Sequence, residues 1–144
     1  MATNEQIDRI VRKMETMRPA EPFKKLDESR AGISATLKLL DDLGGEATAG
    51  QISTNLHIST ARVAVLIKKM VQKELVTKER GKDDARMTVV KLTEHGKDVF
   101  LQIENHLHRQ IENIIDAVGE EKLLEFLAIS KQICDVIQKP NIDF

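Results

Sequence analysis

Residues 48–92 read TAGQISTNLHISTARVAVLIKKMVQKELVTKERGKDDARMTVVKL, and the order of patterns in this stretch predicts the fold. Thr48 and Gln51 form a capping box, in which each side chain satisfies a backbone N–H of the other residue, so a short helix is expected to begin here. After a tight turn, Ser59 is the expected N-cap of a second helix that continues to about Lys73. Two short helices joined so closely must cross steeply, which is the helix-turn-helix arrangement.

The second of these helices has two different faces. Its buried stripe is predicted from the hydrophobic spacing to comprise Val63, Leu66, Ile67, Met70 and Val71. The opposite face mixes basic with small and apolar side chains, namely Thr60, Ala61, Arg62, Ala64, Val65, Lys68 and Lys69. This mixture suits the major groove of double-stranded DNA, where arginine can donate to guanine, small apolar groups can touch thymine methyls, and lysines can reach phosphates. The alternative is that Ala64 and Val65 pack against another part of the protein.

Two Val- and Thr-rich segments, 75–80 and 87–92, follow the second helix and predict a β-hairpin with a long loop. A hairpin directly after a helix-turn-helix is a wing. Its loop carries Lys82 and Arg86, and an arginine at such a tip can enter the narrow minor groove. The neighbouring Asp83 and Asp84 oppose DNA binding by charge, so we expect Asp84 to hold Arg86 in place by a hydrogen bond within the loop. The alternative is a solvated loop of balanced charge.

The segments on either side of this stretch are predicted to be helical. An amphipathic helix precedes Pro19, and another runs from about Asp27 to Leu43, where two glycines end it. The apolar positions of these two helices are Ile7, Ile10, Val11, Met14 and Met17 in the first, and Ile33, Leu37, Leu39 and Leu40 in the second. After the hairpin, Thr93 can cap a long helix that is broken at Gly119 and followed by a further helix.

The apolar stripes of the two C-terminal helices are long. Their members are Val99, Ile103, Leu107, Ile111, Ile114, Ile115 and Val118, then Leu123, Leu124, Phe126, Leu127, Ile133, Val136 and Ile137. Together with the N-terminal helix they form more apolar surface than a small winged helix can cover. We therefore expect a homodimer with a symmetric helical interface, since obligate homodimers bury more than about 2,000 Å². The alternative is an intramolecular helical bundle in a monomer.

Composition narrows the function classes. The chain has 144 residues, is 41% hydrophobic and 31% charged, and carries a net charge of −1. This near-neutral total is unevenly distributed, because residues 48–97 hold ten basic and five acidic side chains while residues 98–144 hold four and nine. A basic middle segment is expected where only that segment meets a polyanion. No apolar stretch is long enough to span a membrane, and the N-terminus lacks the pattern of a secretory signal, so a cytoplasmic location is expected.

Candidates for other chemistry are weak. The single cysteine, Cys134, excludes an intrachain disulfide and is expected to be a small core or interface residue rather than a redox sensor. His106 and His108 are two residues apart and face different sides of a helix, which is poor spacing for a shared metal ion. No phosphate-binding glycine loop or catalytic motif is present. We therefore expect no catalytic residues, no metal site and no cofactor, and hence no enzyme.

Over essentially the whole chain, this order of elements resembles the MarR (multiple antibiotic resistance regulator) family of winged-helix transcription factors. The match is carried by LHISTARVAVLIKKMVQKELV at 56–76, by Asp84-x-Arg86, and by Leu92-Thr93-x-x-Gly96. The resemblance implies that Asp84 and Arg86 belong to the wing, with Arg86 at the minor groove. It also implies recognition-helix contacts at Ala61, Arg62, Ala64, Val65 and Lys68. Position 74 departs from the family, which usually has glycine there, and a left-handed Glu74 would cost on the order of 1 kcal/mol.

The sequence thus predicts a mainly α-helical protein with a small β-hairpin wing. We expect an N-terminal dimerisation helix in residues 1–26, a DNA-binding winged helix-turn-helix in 27–97, and C-terminal dimerisation helices in 98–144. The expected function is sequence-specific transcriptional regulation, as a repressor bound to a palindromic operator in double-stranded DNA and relieved by a small-molecule effector. The alternative is a winged-helix module that binds a protein through Ala64 and Val65 and does not bind DNA.

Overall fold

The computed structural model describes residues 2–17, 19, 24 and 32–137. The chain is mainly helical with one small antiparallel sheet, which confirms the predicted fold class. The elements are α1 (Asn4–Met17), α2 (Ile33–Asp42), β1 (Glu46–Thr48), α3 (Ala49–Leu56), α4 (Thr60–Gln72), β2 (Val76–Arg80), β3 (Thr88–Leu92), α5 (Glu94–Val118) and α6 (Glu120–Val136). The predicted start of the second helix, at 27–31, lies outside the described residues.

The chain divides into two compact units, one up to Ile103 and one from Glu104 onward. The first unit has an aliphatic core to which α2, α3, α4, the sheet and the start of α5 all contribute. Its buried hydrophobic residues are Leu37, Leu40, Ala47, Ile52, Val63, Ile67, Met70, Leu75, Val76, Val90 and Phe100. Val99 and Ile103 pack against this core as well. The first turns of α5 therefore belong structurally to the winged-helix unit.

The sheet has three strands rather than the two that the sequence predicts. β3 lies in the middle and pairs antiparallel with β2 and with β1. In the second pairing Ala47 lies opposite Val90, and both side chains are buried. β1 is only three residues long, too short for alternation to be recognised, and it is stabilised by a partner strand more than 40 residues later in the chain.

The end of α4 is a Schellman motif, the left-handed helix ending in which two backbone bonds close the last turn. The Leu75 N–H donates to the Met70 carbonyl (3.0 Å), and the Glu74 N–H donates to the Val71 carbonyl (2.9 Å). Glu74 has φ 58°, so the left-handed backbone considered from the sequence is present. Leu75 and Met70 are both buried and supply the hydrophobic contact that accompanies this motif.

The start of α5 is anchored to this same turn by Thr93. Its hydroxyl lies within hydrogen-bond distance of the Glu74 and Leu75 carbonyls (2.7 and 3.0 Å) and accepts from the Gly96 N–H (2.9 Å), which confirms Thr93 as the cap. A Cβ at Gly96 would collide with the carbonyl oxygen of Leu75. The Leu92-Thr93-x-x-Gly96 motif therefore has a steric basis, because only glycine lets the first turn of α5 lie against this backbone.

The second unit contains the rest of α5 and all of α6, which are separated at Gly119 with φ 84°. No residue of α6 is buried. Its exposed apolar side chains include Leu124, Phe126, Leu127, Ile129, Ile133 and Val136. The apolar side chains of α1, within the first unit, are likewise about half exposed, from 46% at Val11 to 72% at Met17. Among the described residues, none of the helices has the length and hydropathy needed to cross a membrane.

Candidate nucleic-acid interface

The helix-turn-helix is fixed by local hydrogen bonds that the sequence predicts. The Gln51 N–H donates to Thr48 Oγ1 (3.1 Å), and the Thr48 N–H donates to Gln51 Oε1 (2.8 Å), so both halves of the capping box are present. Ser59 caps α4 by accepting from the Arg62 N–H (3.2 Å). Between the helices, His57 ends α3 in a left-handed conformation with φ 53°. These bonds set the orientation of α4 at its N-terminal end.

The two faces of α4 are divided as predicted. Val63, Ile67 and Met70 are buried, while Leu66 and Val71 pack at the edge of the core. All seven residues of the predicted outer face are exposed: Thr60, Ala61, Arg62, Ala64, Val65, Lys68 and Lys69. The alternative in which Ala64 and Val65 pack elsewhere in the chain is therefore wrong for the described residues.

Val65 lies at the centre of this outer face. At about 100° per residue, it points roughly 140–160° away from the buried Val63, Ile67 and Met70. Its side chain is 70% exposed. The side chains around it are one apolar residue and three cations, namely Ala61, Arg62, Lys68 and Lys69, all within about 60° of Val65 around the helix axis. The centre of the face is thus apolar and its flanks are cationic.

The loop between β2 and β3 is ordered by its own hydrogen bonds. Backbone bonds join the Gly81 N–H to the Met87 carbonyl (2.8 Å) and the Met87 N–H to the Asp84 carbonyl (3.0 Å). The Arg86 N–H donates to Asp84 Oδ1 (2.9 Å), so the predicted hydrogen bond between Asp84 and the neighbouring arginine is present. Lys82 and Arg86 are exposed. The bond fixes the backbone of Arg86 and leaves its guanidinium accessible to a ligand.

Sequence reasoning missed the part that Gly81 plays in this loop. A Cβ at Gly81 would lie 2.6 Å from the Asp84 carbonyl oxygen and 3.2 Å from Met87 Cβ. Any other residue would therefore push the two sides of the loop apart. Glycine is common in loops for several reasons, so the sequence contained no signal that distinguished this one.

One basic residue of the middle segment is neutralised within the sheet. Lys91 Nζ, on β3, lies 2.6 Å from Glu79 Oε1 and 3.8 Å from Glu46 Oε2. Its hydrogen bond and positive charge lower the pKa of Glu79, and Glu79 in turn raises the pKa of Lys91. By contrast, within the described part of the chain no ion pair engages the basic residues of the outer face and loop, namely Arg62, Lys68, Lys69, Lys82 and Arg86.

The remaining candidate residues form no site. His106 and His108 are both exposed, and no group of three or more metal-binding side chains occurs among the described residues. Cys134 is exposed, so of the two predicted positions the core one is wrong and the interface one stays a prediction.

One protein-family model matches the winged-helix unit. Residues 36–103 match the model of the transcriptional regulator SarA/Rot family, which is a family of transcriptional regulators and not of enzymes. The match ends at Ile103, where the first compact unit also ends. No curated protein sequence matches the chain.

Solved structures share the fold at low sequence identity. The chain is similar to the YusO protein from Bacillus subtilis, with TM-score 0.66 and 14% identity over 95% of this chain and 100% of that chain. It is similar to AbsC, a MarR family transcriptional regulator from Streptomyces coelicolor, with TM-score 0.61 and 21% identity over 94% and 95%. It is also similar to the PcaV transcriptional regulator from Streptomyces coelicolor in complex with its natural ligand, with TM-score 0.60 and 14% identity over 83% and 94%. These similarities confirm the winged-helix fold that the resemblance implies.

Proposed function

We propose that this chain is a sequence-specific repressor of transcription that binds double-stranded DNA in the cytoplasm. The proposal starts from the match of residues 36–103 to a family of winged-helix transcriptional regulators. The observation that carries the proposal is the exposed outer face of α4, where small side chains are surrounded by cations that form no ion pair with any described residue. α4 enters the major groove, where Arg62 and Thr60 reach base edges and Lys68 and Lys69 reach phosphates. Arg86, positioned by Asp84, enters the minor groove, and Lys82 contacts the adjacent backbone.

The regulator acts as a homodimer on a palindromic operator. Support comes from the exposed apolar side chains of α1, α5 and α6, since monomeric proteins seldom leave continuous apolar faces in water. We assign residues 1–26 and 98–144 to the dimerisation region and residues 27–97 to DNA binding; within 98–144 the interface is formed beyond Ile103, because Val99, Phe100 and Ile103 pack in the winged-helix core. A two-fold axis would place the recognition helices about 34 Å apart, one turn of the duplex.

A small-molecule effector relieves repression by changing the spacing of the two DNA-binding units. Such a ligand must bind one spacing more tightly than the other, because equal affinity for both shifts no population. The ligand complex solved for the structurally similar PcaV regulator supports this part of the proposal.

Selection of bound fragments from a random duplex pool at physiological ionic strength tests the proposal. We expect a palindrome with half-sites one helical turn apart, and an affinity that falls steeply with salt as phosphate counterions are released. Arg86→Ala should weaken binding to the selected duplex by about 1–3 kcal/mol. Recovery of no preferred duplex would contradict the proposal, and an unchanged binding curve for Arg86→Ala would contradict the role of the wing.

The second candidate function, a protein-binding module, is favoured by one observation, the 70% exposure of Val65. The double variant Lys68→Glu/Lys69→Glu separates the two functions, because it should abolish DNA binding while leaving a mainly apolar protein contact largely intact. Lys38→Glu/Lys97→Glu is the matched control, since it makes the same charge change at two exposed lysines outside α4, outside the loop between β2 and β3, and outside the residues assigned to the dimer interface. DNA affinity lost equally in both variants would indicate a general charge effect rather than a specific α4 interface.

A further inference from the structure

Ala61 and Val65 form an apolar pair on the α4 outer face. They lie one helical turn apart, and both are exposed. Elsewhere in residues 32–100 the other large hydrophobic side chains that are exposed are Leu43 (43%) and Met87 (45%), compared with 70% for Val65. Single exposed apolar residues are common on protein surfaces, so exposure alone carries no functional meaning. The position of Val65, at the middle of a face surrounded by cations, is what requires an explanation.

A cationic rim around an apolar centre fits one kind of feature in the major groove. Arg62 and Lys69 flank Val65 on one side and Lys68 flanks it on the other, so a phosphate backbone on either side of the groove would be met by positive charge. Among the groups that base pairs present in the major groove, the C5-methyl of thymine is the apolar one. Adenine, guanine and cytosine are distinguished there by donors and acceptors, which Ala61 and Val65 cannot pair with.

We propose that Val65 is a specificity-determining residue that recognises thymine through its C5-methyl group. This inference rests on the proposed DNA-binding function and adds the base that the centre of α4 reads. The half-site contains a thymine opposite Val65, and Ala61 extends the apolar contact toward the N-terminal end of the helix. Base recognition by donors at this face then falls mainly to Arg62, while Lys68 and Lys69 position the helix.

Replacing thymine by deoxyuridine tests the proposal, because uracil keeps the pairing and the O4 acceptor of thymine and loses only the methyl group. The probe is the duplex selected from the random pool, with deoxyuridine introduced at one thymine of each half-site at a time. At the thymine opposite Val65, we expect the wild-type protein to lose affinity about fourfold for each half-site that is substituted. This loss is the equivalent of about 0.8 kcal/mol for one buried methyl-sized group. With both half-sites substituted, the expected loss is about fifteenfold.

The Val65→Ala variant should bind the thymine and deoxyuridine duplexes with nearly equal affinity at that position. Because Val65 is exposed, this variant should retain the wild-type unfolding temperature, which a thermal melt checks. Leu43→Ala is the matched control: it shortens an exposed apolar side chain that is not on α4, and it should keep the wild-type discrimination.

The outcomes separate the two levels of the argument. If the wild-type protein binds its selected duplex but no position responds to deoxyuridine, this inference is overturned and the proposed function stands. If Val65→Ala loses as much affinity on deoxyuridine as the wild type does, the methyl is read by another residue and the inference is also overturned. If the wild-type protein selects no duplex, both the inference and the proposed function fail.

Discussion

Glu74→Gly should stabilise this protein, because Glu74 holds a left-handed backbone conformation that glycine adopts without steric cost. The φ of Glu74 is 58°, and its N–H is committed to the Val71 carbonyl in the helix-ending turn (2.9 Å). A left-handed conformation costs a residue with a Cβ about 1–2 kcal/mol. Glycine loses more conformational entropy on folding than glutamate does, which offsets about 0.5–1 kcal/mol of the relieved strain. The net gain is therefore about 0.75 kcal/mol at the middle of these ranges, or an increase in unfolding temperature of roughly 1.5–3 °C for a chain of this size.

Glu74→Ala is the control that isolates the backbone contribution. It removes the exposed carboxylate but keeps the Cβ that makes the left-handed conformation costly. Urea unfolding measured at a fixed protomer concentration, so that any self-association contributes equally, should give the highest midpoint for the glycine variant. The glutamate and alanine proteins should have similar midpoints. A glycine variant no more stable than the alanine variant would refute the reasoning.

Substitutions at three other positions test contacts around the candidate interface. Gly96→Ala should destabilise the protein by about 1–3 kcal/mol in urea unfolding, because its methyl group would overlap a neighbouring backbone carbonyl; wild-type stability would show that the contact relaxes freely. Asp84→Ala should weaken duplex binding about three- to tenfold by releasing the Arg86 N–H, a bond worth about 0.5–1.5 kcal/mol, whereas Asp84→Asn keeps an acceptor and should bind nearly as well. The folded-state pKa of Glu79 lies below its unfolded value of about 4.3. The contribution of Glu79 to the free energy of unfolding is therefore fully present above the unfolded pKa and is lost as the pH falls through the folded pKa. Urea unfolding between about pH 6 and pH 3 should therefore show a smaller loss of stability for Glu79→Gln than for the wild type, whose carboxylate pairs with Lys91, and equal losses would contradict this.

The sequence predicted the winged-helix unit well because its signals are local. The capping box of Thr48 and Gln51 and the cap at Ser59 act within three residues, and both are present in the structure. The two faces of α4 follow from helical periodicity, which a strong hydrophobic stripe makes unambiguous. The hydrogen bond from Arg86 to Asp84 was also predictable, because it spans two residues and explains an acidic side chain in a basic loop.

The features that the sequence did not predict depend on contacts between distant segments. β1 forms because Glu46–Thr48 meets β3, and nothing in three residues indicates that pairing. Lys91 was counted with the basic residues of the middle segment, but its neutralisation by Glu79 and Glu46 follows from the register of three strands. Charge counted along a sequence therefore overstates the charge that a ligand meets, since the strand register decides which cations are paired.

The motif that carries the family resemblance most specifically is separate from the residues proposed to read DNA. Thr93 and Gly96 are required by the turn at Leu75, where a hydroxyl bridges two carbonyls and a Cβ has no room. These demands are the same whatever base pairs the protein contacts, so the motif can identify the fold but not the operator. The choice of operator depends on side chains such as Arg62 and Val65, which the fold leaves exposed and which can change without disturbing the core. Specificity must therefore be argued from the chemistry of the α4 outer face, and the response to the thymine methyl group measures it directly.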